Sequence, residues 1–506
     1  MNRRDVIKSG VLAGVAGALA SQTAQAQSNS PSFTKKARNV VMFVIDGLGW
    51  DDYAIAQFYS RRFLGRPLAL ERLLTTSPNG LQNTNSLTSF VTESSAAANA
   101  WSTGVKTVNG GLAIHIDGRK LTPIFESAKQ IGKAVGLVTS ATVTHATPAA
   151  FVVSNKNRNA EEEIAQQYLD FGADVYLGGG DRFFNPEIRS DKKDMYAAYA
   201  ARGYGVVKTK ADLMSNNSSK LLGVFSRSHV PYEADRRFQN VDAPSLADMT
   251  KKALAILAAK SSGFVLQVEA ARVDHAGHLN DPAALMWDLI AADEALQVVM
   301  NFVDANPDTL LIVGSDHACG NGALYGTGPS YRNSSIGLDL LDKQKGTIEF
   351  ILGRLGANPS VEQVSEIYRT VKAIELKQDQ AQAVVDAITK KVYLPDSVRY
   401  SIQPSNTLAW VMRQTSVPTP DRPNIGFHSG QHTGQPTLFA VYGKDLGVGR
   451  IGLVDNTYLY TVMARALGIR TKNPVMSEEE ALAILAAQAQ RTAASTEIFH
   501  PHDIVG

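Results

Sequence analysis

Apolar, β-branched runs recur along the chain: RNVVMFVID (38–46), KAVGLVTSA (133–141), DVYLGGG (174–180), GFVLQVEA (263–270), DTLLIVGSD (308–316) and TLFAVYG (437–443). Between them lie helical patterns such as SLADMTKKALAILAAK (245–260). Strands that alternate with helices build βαβ units and a parallel sheet. The pattern predicts an α/β fold, a three-layer α/β/α domain around a central, mostly parallel sheet. The alanine-rich run VTESSAAANAWSTGVKTVNG (91–110) reads as a helix headed by Glu93, Ser94 and Ser95. A serine there has an ordinary role as N-cap, its oxygen accepting from a free first-turn amide. The same helix start, with its unpaired N–H groups and dipole, also favours an anion. No internal repeat is present, and the mature chain has one biased stretch, rich in Ala and Gln, near 481–494.

The first residues read as an address. MNRRDVIKSG carries the Arg3–Arg4 pair, VLAGVAGALA is a short apolar stretch, and AQA precedes an expected cut after Ala26. A membrane span needs about 20 apolar residues, and this stretch is shorter. A twin-arginine export signal over residues 1–26 is expected, a plain secretory signal being the alternative. The mature chain is then expected in the periplasm or outside the cell, with no stable membrane insertion.

Composition adds three limits. With 506 residues, 44% hydrophobic and 19% charged, the chain is large enough for one big domain with an insertion or for two to three smaller ones. A net charge of +2 argues against nucleic acid as the main partner, which would want a basic stripe. The single cysteine, Cys319, allows neither an intrachain disulfide nor a thiolate metal cluster, so metal ligands are expected to be His and carboxylate.

In open α/β sheets, ligands bind beyond the carboxyl ends of the strands. The first run ends in Asp46-Gly47, and the second leads into TVTHATPAA with His145 and Thr147. The fourth delivers Glu269 and then Asp274, His275 and His278; the fifth ends in Asp316-His317; His428 and His432 sit just ahead of the sixth. Six of the ten histidines fall in these segments. Each has an ordinary reading, since Asp-Gly is a turn signal and a His beside a strand end commonly serves structure. Several strand ends that all supply His or carboxylate to one rim are hard to explain by turns. Oxygen and nitrogen ligands without sulfur suit catalytic Zn²⁺ and Mg²⁺.

The segments VIDGLG (44–49), VTESSAAANAWSTGVKT (91–107), THATPAAFVVSNKNR (144–158), VEAARVDHAGH (268–278), GSDHA (314–318) and QHTG (431–434) carry a resemblance to the alkaline phosphatase family, in that family's order and over most of the mature chain. The resemblance implies hydrolysis of small-molecule phosphate monoesters to alcohol and inorganic phosphate, through a phosphoseryl intermediate on Ser94. It implies two Zn²⁺ and one Mg²⁺ per chain. Asp46, Asp316 and His317 would hold the zinc that activates Ser94, and Asp274, His278 and His432 the zinc at the leaving group. Glu269 and Thr147, with Asp46 bridging, would form the third site, usually magnesium. Arg158 falls at the spacing of the family's phosphate-binding arginine, whose planar fork grips two phosphoryl oxygens; its ordinary reading is a surface arginine on a polar loop.

The chemistry asks for such an assembly. A serine hydroxyl is a poor nucleophile until activated, and metal coordination is one way. Phosphoryl transfer needs positioning and charge neutralisation, and two metal ions about 4 Å apart clamp the attacking and leaving oxygens. Asp274 and His278 are spaced i,i+4 and share a face if this turn is helical.

Departures from the family pattern carry expectations too. Glu93 stands where the family commonly has Asp, so its contact with Arg158 is expected to shift and loosen phosphate binding. His145 and His275 stand where the best-known enterobacterial form has Asp and Lys, and are expected behind the magnesium ligands, where they would tune metal preference. His428 is expected in a loop contact; His115, His229, His500 and His502 read as surface or tail residues.

Between His317 and His432 the chain runs for about a hundred residues, too long for a bare loop. Ala381, Val384, Val385, Ile388 and Val392 fit an amphipathic helix, as do Val361, Val364, Tyr368 and Val371. The core is therefore expected at 36–320 and 426–470 and an inserted cap or crown at 321–425, with 471–506 as a C-terminal segment. The insertion is expected either over or beside the rim, shaping substrate access, or in a dimer contact; monomer and homodimer both stay open. A sulfatase would need a modifiable residue in a C/S-x-P/A-x-R setting, which the Glu93–Ala98 corner lacks. A phosphodiesterase stays open because selectivity lies in pocket shape. An exported phosphate- or metal-binding protein is disfavoured, since a binder needs no nucleophile.

Overall fold

Alternate residues of the first strand, β1 (Asn39–Ile45), face opposite sides of a sheet that is covered on both. Val41, Phe43 and Ile45 join one apolar cluster and Val40, Met42 and Val44 another, so every residue of the strand is buried. This explains why such runs are continuously apolar instead of alternating. The computed structural model describes residues 35–326, 330–332, 334–390, 424–443 and 451–492. The expected leader at 1–26, residues 391–423 with Val392 among them, and His500 and His502 lie outside the described residues.

The remaining strands are β2 (Asn79–Asn83), β3 (Ala134–Thr142), β4 (Val175–Gly179), β5 (Gly205–Val207), β6 (Leu221–Val224), β7 (Phe264–Ala270), β8 (Thr309–Gly314), β9 (Ala318–Cys319), β10 (Gly322–Leu324), β11 (Ile425–Phe427), β12 (His432–Thr433), β13 (Thr437–Tyr442) and β14 (Gly452–Asp455). A ten-stranded sheet runs β14-β2-β13-β8-β1-β7-β3-β4-β6-β5. It is parallel except for β13, which is antiparallel to both β2 and β8. Helices Trp50–Tyr59, Ala69–Thr76, Leu246–Ala258 and Pro282–Ala305 pack on one face. Helices Ser94–Thr103, Ile124–Gln130, Glu161–Phe171 and Tyr458–Leu467 pack on the other. The result is a three-layer α/β/α fold. All six apolar runs form strands of this sheet; β2, β5, β6 and β14 add to its flanks without long apolar runs of their own.

The middle strands β8, β1, β7 and β3 deliver the chemistry at their carboxyl ends. Gly47, at φ +77°, turns the chain after β1, and a Cβ there would lie 2.6 Å from Asp274 Cα. Only glycine lets helix Arg272–Leu279 approach that closely.

In the stretch expected as an insertion, Leu338 and Leu341 join the main core. Helices Ile348–Leu355, Val361–Ile367 and Gln378–Thr389 instead pack around their own apolar cluster of Ile348, Ile351, Val364, Tyr368, Val371, Ala381 and Val384. No helix among the described residues is long and apolar enough to cross a membrane.

Candidate active site

Three groups of ligand atoms gather beyond the strand ends, each group spanning no more than 4.8 Å: Asp46, Asp316 and His317; Asp274, His278, His432 and Cys319; and Asp46, His145 and Glu269. The first group is made by the ends of β1 and β8. Gly47 N and His317 N both donate to Asp316 Oδ1, at 3.2 and 3.0 Å. That leaves Oδ2 facing His317 Nε2 at 3.2 Å, with Asp46 Oδ1 3.6 Å from the same nitrogen.

The second group depends on a helix and a two-residue ribbon. Asp274 and His278 do share a face of helix Arg272–Leu279, while β12 pairs with β9 and brings His432 opposite Cys319. His278 Nδ1 lies 2.8 Å from the Gly430 carbonyl and His432 Nδ1 lies 2.9 Å from the Thr92 carbonyl. A carbonyl only accepts, so both Nδ1 atoms carry a proton, and in the neutral rings both Nε2 atoms present lone pairs. Those lone pairs meet at 3.0 Å. Asp274 Oδ2 and Oδ1 add to them, 3.4 Å from His278 Nε2 and 3.4 Å from His432 Nε2. Lone pairs and a carboxylate that converge with no proton between them form the donor set of a cation site, each His tautomer being set by its carbonyl.

The third group is held from behind. Thr139 Oγ1 donates to Glu269 Oε2 at 2.5 Å, and Thr147 Oγ1 lies 3.4 Å from Asp46 Oδ2. Across the groups, Asp46 Oδ1, Glu269 Oε1, Asp274 Oδ1 and Asp316 Oδ2 are buried without a hydrogen-bond partner. Buried polar atoms are rarely left so. Together with the facing lone pairs, they show that these residues fit metal ions.

Electrostatics agree. Burial, and then the charges of Asp316, Asp274 and Glu269, push Asp46 well above the usual carboxylate range. Burial, followed by the Asp274 charge, pushes Asp316 up to about 8. Burial also opposes ionisation of Asp274, but His278 and His432 in their protonated form outweigh it and hold its carboxyl well below the ordinary value, the part a bound cation would take over. Burial, and next the neighbouring His432, keep His317 far below its ordinary value, so the ring is neutral and able to ligate. Carboxylates packed this tightly cannot all ionise without cations.

Ser94 stands at the edge of the first group. It is the first residue of helix Ser94–Thr103, and its Oγ lies 3.3 Å from His317 Nε2. The N-cap is not a serine. Glu93 occupies that position, its Oε1 accepting from Ala96 N at 2.9 Å and Gly110 N at 3.0 Å and its Oε2 from Ser95 N at 3.0 Å. Ser95 Oγ also donates to Glu93 Oε1. The capping duty therefore falls to Glu93 and Ser95, and the Ser94 hydroxyl is not spent on it.

Glu93 Oε2 pairs with Arg158 Nη1, so the contact that the extra methylene was expected to displace is made. Burial opposes ionisation of Glu93, but the Arg158 charge and the donors from Ser95 and Gly110 hold its carboxyl far below the usual range. Arg158 is buried and not a surface arginine, and its Nη2 lies 3.4 Å from His145 Nε2.

Other expectations need correction. His145 was expected behind the third group's ligands, yet its ring nitrogen gathers with Asp46 and Glu269. His229, read as a surface residue, lies against His275 and His145 with ring centroids 4.4 and 6.0 Å away. His115, also read as surface, is buried, with Nε2 2.9 Å from the Pro474 carbonyl. His428 lies exposed on a loop, as expected. The sulfur set aside in the ligand argument, Cys319, belongs to the second group. Nothing local marks Thr139 or His229; Thr139 reaches Glu269 only because β3 and β7 pair in register there.

The alkaline phosphatase family matches over residues 37–469. Alkaline phosphatase 3 of Bacillus subtilis is 29% identical over 463 residues, 89% of this chain and 93% of that one. Alkaline phosphatase of Escherichia coli is 32% identical over 332 residues, covering 56% and 70% of the two. The crystal structure of Thermus thermophilus alkaline phosphatase superposes with a TM-score of 0.89 at 60% identity, covering 91% of this chain and 98% of that one.

Proposed function

The chain belongs to the alkaline phosphatase family and is a metal-dependent hydrolase of phosphate monoesters, and from that premise we propose that Ser94 is its nucleophile. One observation carries this reading. Ser94 Oγ lies 3.3 Å from His317 Nε2, where the Asp46, Asp316 and His317 ligand atoms converge, and Glu93 already caps the helix.

We assign Asp46, Asp316 and His317 to one Zn²⁺ and Asp274, His278 and His432 to a second. Asp46, Glu269 and Thr147 are assigned to Mg²⁺, with His145 within reach of it. Bound ions of this kind lower the pKa of a coordinated hydroxyl and neutralise charge on the attacking and leaving oxygens.

The chain's own groups do the rest. Glu93 takes the first-turn amides Ser95 N and Ala96 N and also holds Arg158 by an ion pair, so that the guanidinium can take phosphoryl oxygens. Ser94 Oγ forms a bond to phosphorus as the ester P–O bond breaks and the alcohol departs. Water then cleaves the Ser94 phosphoester, releasing inorganic phosphate and restoring the hydroxyl.

Acid-quenched turnover of p-nitrophenyl phosphate, followed by peptide mass spectrometry, tests this directly. Phosphate is expected on Ser94; finding it on Ser95, or on no residue under burst conditions, would overturn the assignment. Bis-p-nitrophenyl phosphate is expected to turn over far more slowly. Arg158→Ala should lower kcat/KM about 10–100-fold, because a charge-assisted contact is worth roughly 1.5–3 kcal/mol. Steady-state kinetics should show the loss mainly in KM, with weaker inhibition by inorganic phosphate. An unchanged KM and phosphate inhibition constant would remove Arg158 from the site.

A further inference from the structure

The helix that carries Asp274 and His278 begins at Arg272, which is fully buried. Its guanidinium lies 3.5 Å from the Tyr232 ring centroid. Nη1 reaches His275 Nδ1 at 2.9 Å, and Nη2 donates to Glu349 Oε2 at 2.6 Å. Glu349 lies 77 positions further on, in the first turn of helix Ile348–Leu355 in the inserted stretch.

The chemistry of arginine fixes what this contact does. A guanidinium only donates, so His275 Nδ1 must accept and the neutral ring carries its proton on Nε2. The His275 ring lies 5.7 Å from the His145 ring and 4.4 Å from that of His229. His229 Nδ1 in turn accepts from Thr142 N at 3.2 Å, so it has the same tautomer. Two N–H-bearing imidazoles thus back the His145 that gathers with Asp46 and Glu269.

The inserted stretch is anchored independently of Glu349. Lys372 Nζ pairs with Asp281 at 2.7 Å with both side chains fully buried, and Ile348 N donates to Asp281 Oδ2 at 2.7 Å. Asp281 also caps helix Pro282–Ala305. The insertion therefore grips the ligand helix at its first residue and again just beyond its last.

We propose that Glu349 is a positioning residue of the active site, which through Arg272 holds His275 in its Nε2–H tautomer beside the Asp46, His145 and Glu269 group. The part that concerns metal binding rests on the assignment of that group to Mg²⁺; the tautomer does not. Outer partners of metal ligands typically change metal affinity 10–100-fold when removed.

The test is selective ¹⁵N-histidine NMR on metal-free protein, paired with Mg²⁺ titration by calorimetry on zinc-loaded protein. Wild type should show His275 as the Nε2–H tautomer. Glu349→Ala should shift the His275 signals toward a tautomer mixture and weaken Mg²⁺ binding about 10-fold or more, while Glu349→Gln, which still accepts a hydrogen bond, should recover most of both. Glu366→Gln, which removes an exposed pair with Arg369 on the same insertion, should change neither. His275 signals that stay unchanged in a folded Glu349→Ala variant would overturn the proposal. If the tautomer shifts but Mg²⁺ binding does not, the metal assignment of the third group fails while the positioning of His275 stands.

Discussion

Ser94→Ala is expected to lower kcat for p-nitrophenyl phosphate by about 10³-fold or more, the scale seen when a nucleophile acting with its activating partners is removed. Asp46, Asp316 and His317 supply the ligand atoms of the nearest group without it, so metal content should stay close to the wild-type level. The helix cap is made by Glu93, so stability should change by no more than about 0.5 kcal/mol. Ser95→Ala should behave in the opposite way. Ser95 Oγ donates to Glu93 Oε1 and accepts from Gly110 N at 3.2 Å, so its loss should cost about 1 kcal/mol of stability and leave most of the turnover. Rapid-quench kinetics, metal analysis and thermal melts on the two variants separate these roles. A Ser94→Ala enzyme that keeps wild-type turnover would sink the assignment.

Removing the metals should cost both activity and stability, and the stability loss should depend on pH. In the metal-free protein, burial and neighbouring carboxylates raise Asp46 and bring Asp316 to about 8, whereas in the unfolded chain an aspartate ionises near 3.9. Between about pH 4 and pH 8 these two carboxyls bind more protons in the folded state than in the unfolded one, so their contribution to stability falls as pH rises. The contribution is fully present below the unfolded value and is lost as pH climbs through the folded value. Bound cations supply the missing charge and should remove this slope. At metal concentrations 100–1,000-fold above Kd they should add about 3–4 kcal/mol per site. Melts at pH 5 and pH 8, after chelation and again after Zn²⁺ and Mg²⁺ are returned, measure both effects. Chelated protein that melts equally at the two pH values, or that matches metal-loaded protein, would contradict the buried carboxylate account.

Several residues of the site are legible because their signal is local. Asp46 and Asp316 follow apolar runs whose strands are buried on both faces, as the two clusters flanking β1 show, and residues at strand ends fall on the ligand rim of such a sheet. Asp274 and His278 are one helical turn apart, so spacing alone puts them on one face. Glu93 is instructive in the other direction. A serine looked like the cap, because the hydroxyl is the commoner N-cap group, but the extra methylene of glutamate allows one carboxylate to cap the helix and still pair with Arg158.

By itself, then, the sequence determined the strand set of the sheet's centre, the ligand helix, the Ser94 corner and the family. Each depends on patterns within a few residues, where period and burial leave a trace in residue type. Tertiary structure alone decided the remainder. Thr139 meets Glu269 through the register of β3 and β7, and Cys319 meets His432 through the pairing of β9 and β12. His229 reaches His275 from a polar loop, and Glu349 reaches Arg272 from the insertion. These contacts join residues far apart in the chain. Strand order and helix docking set them, and a side chain's type does not record which distant partner the fold will bring to it.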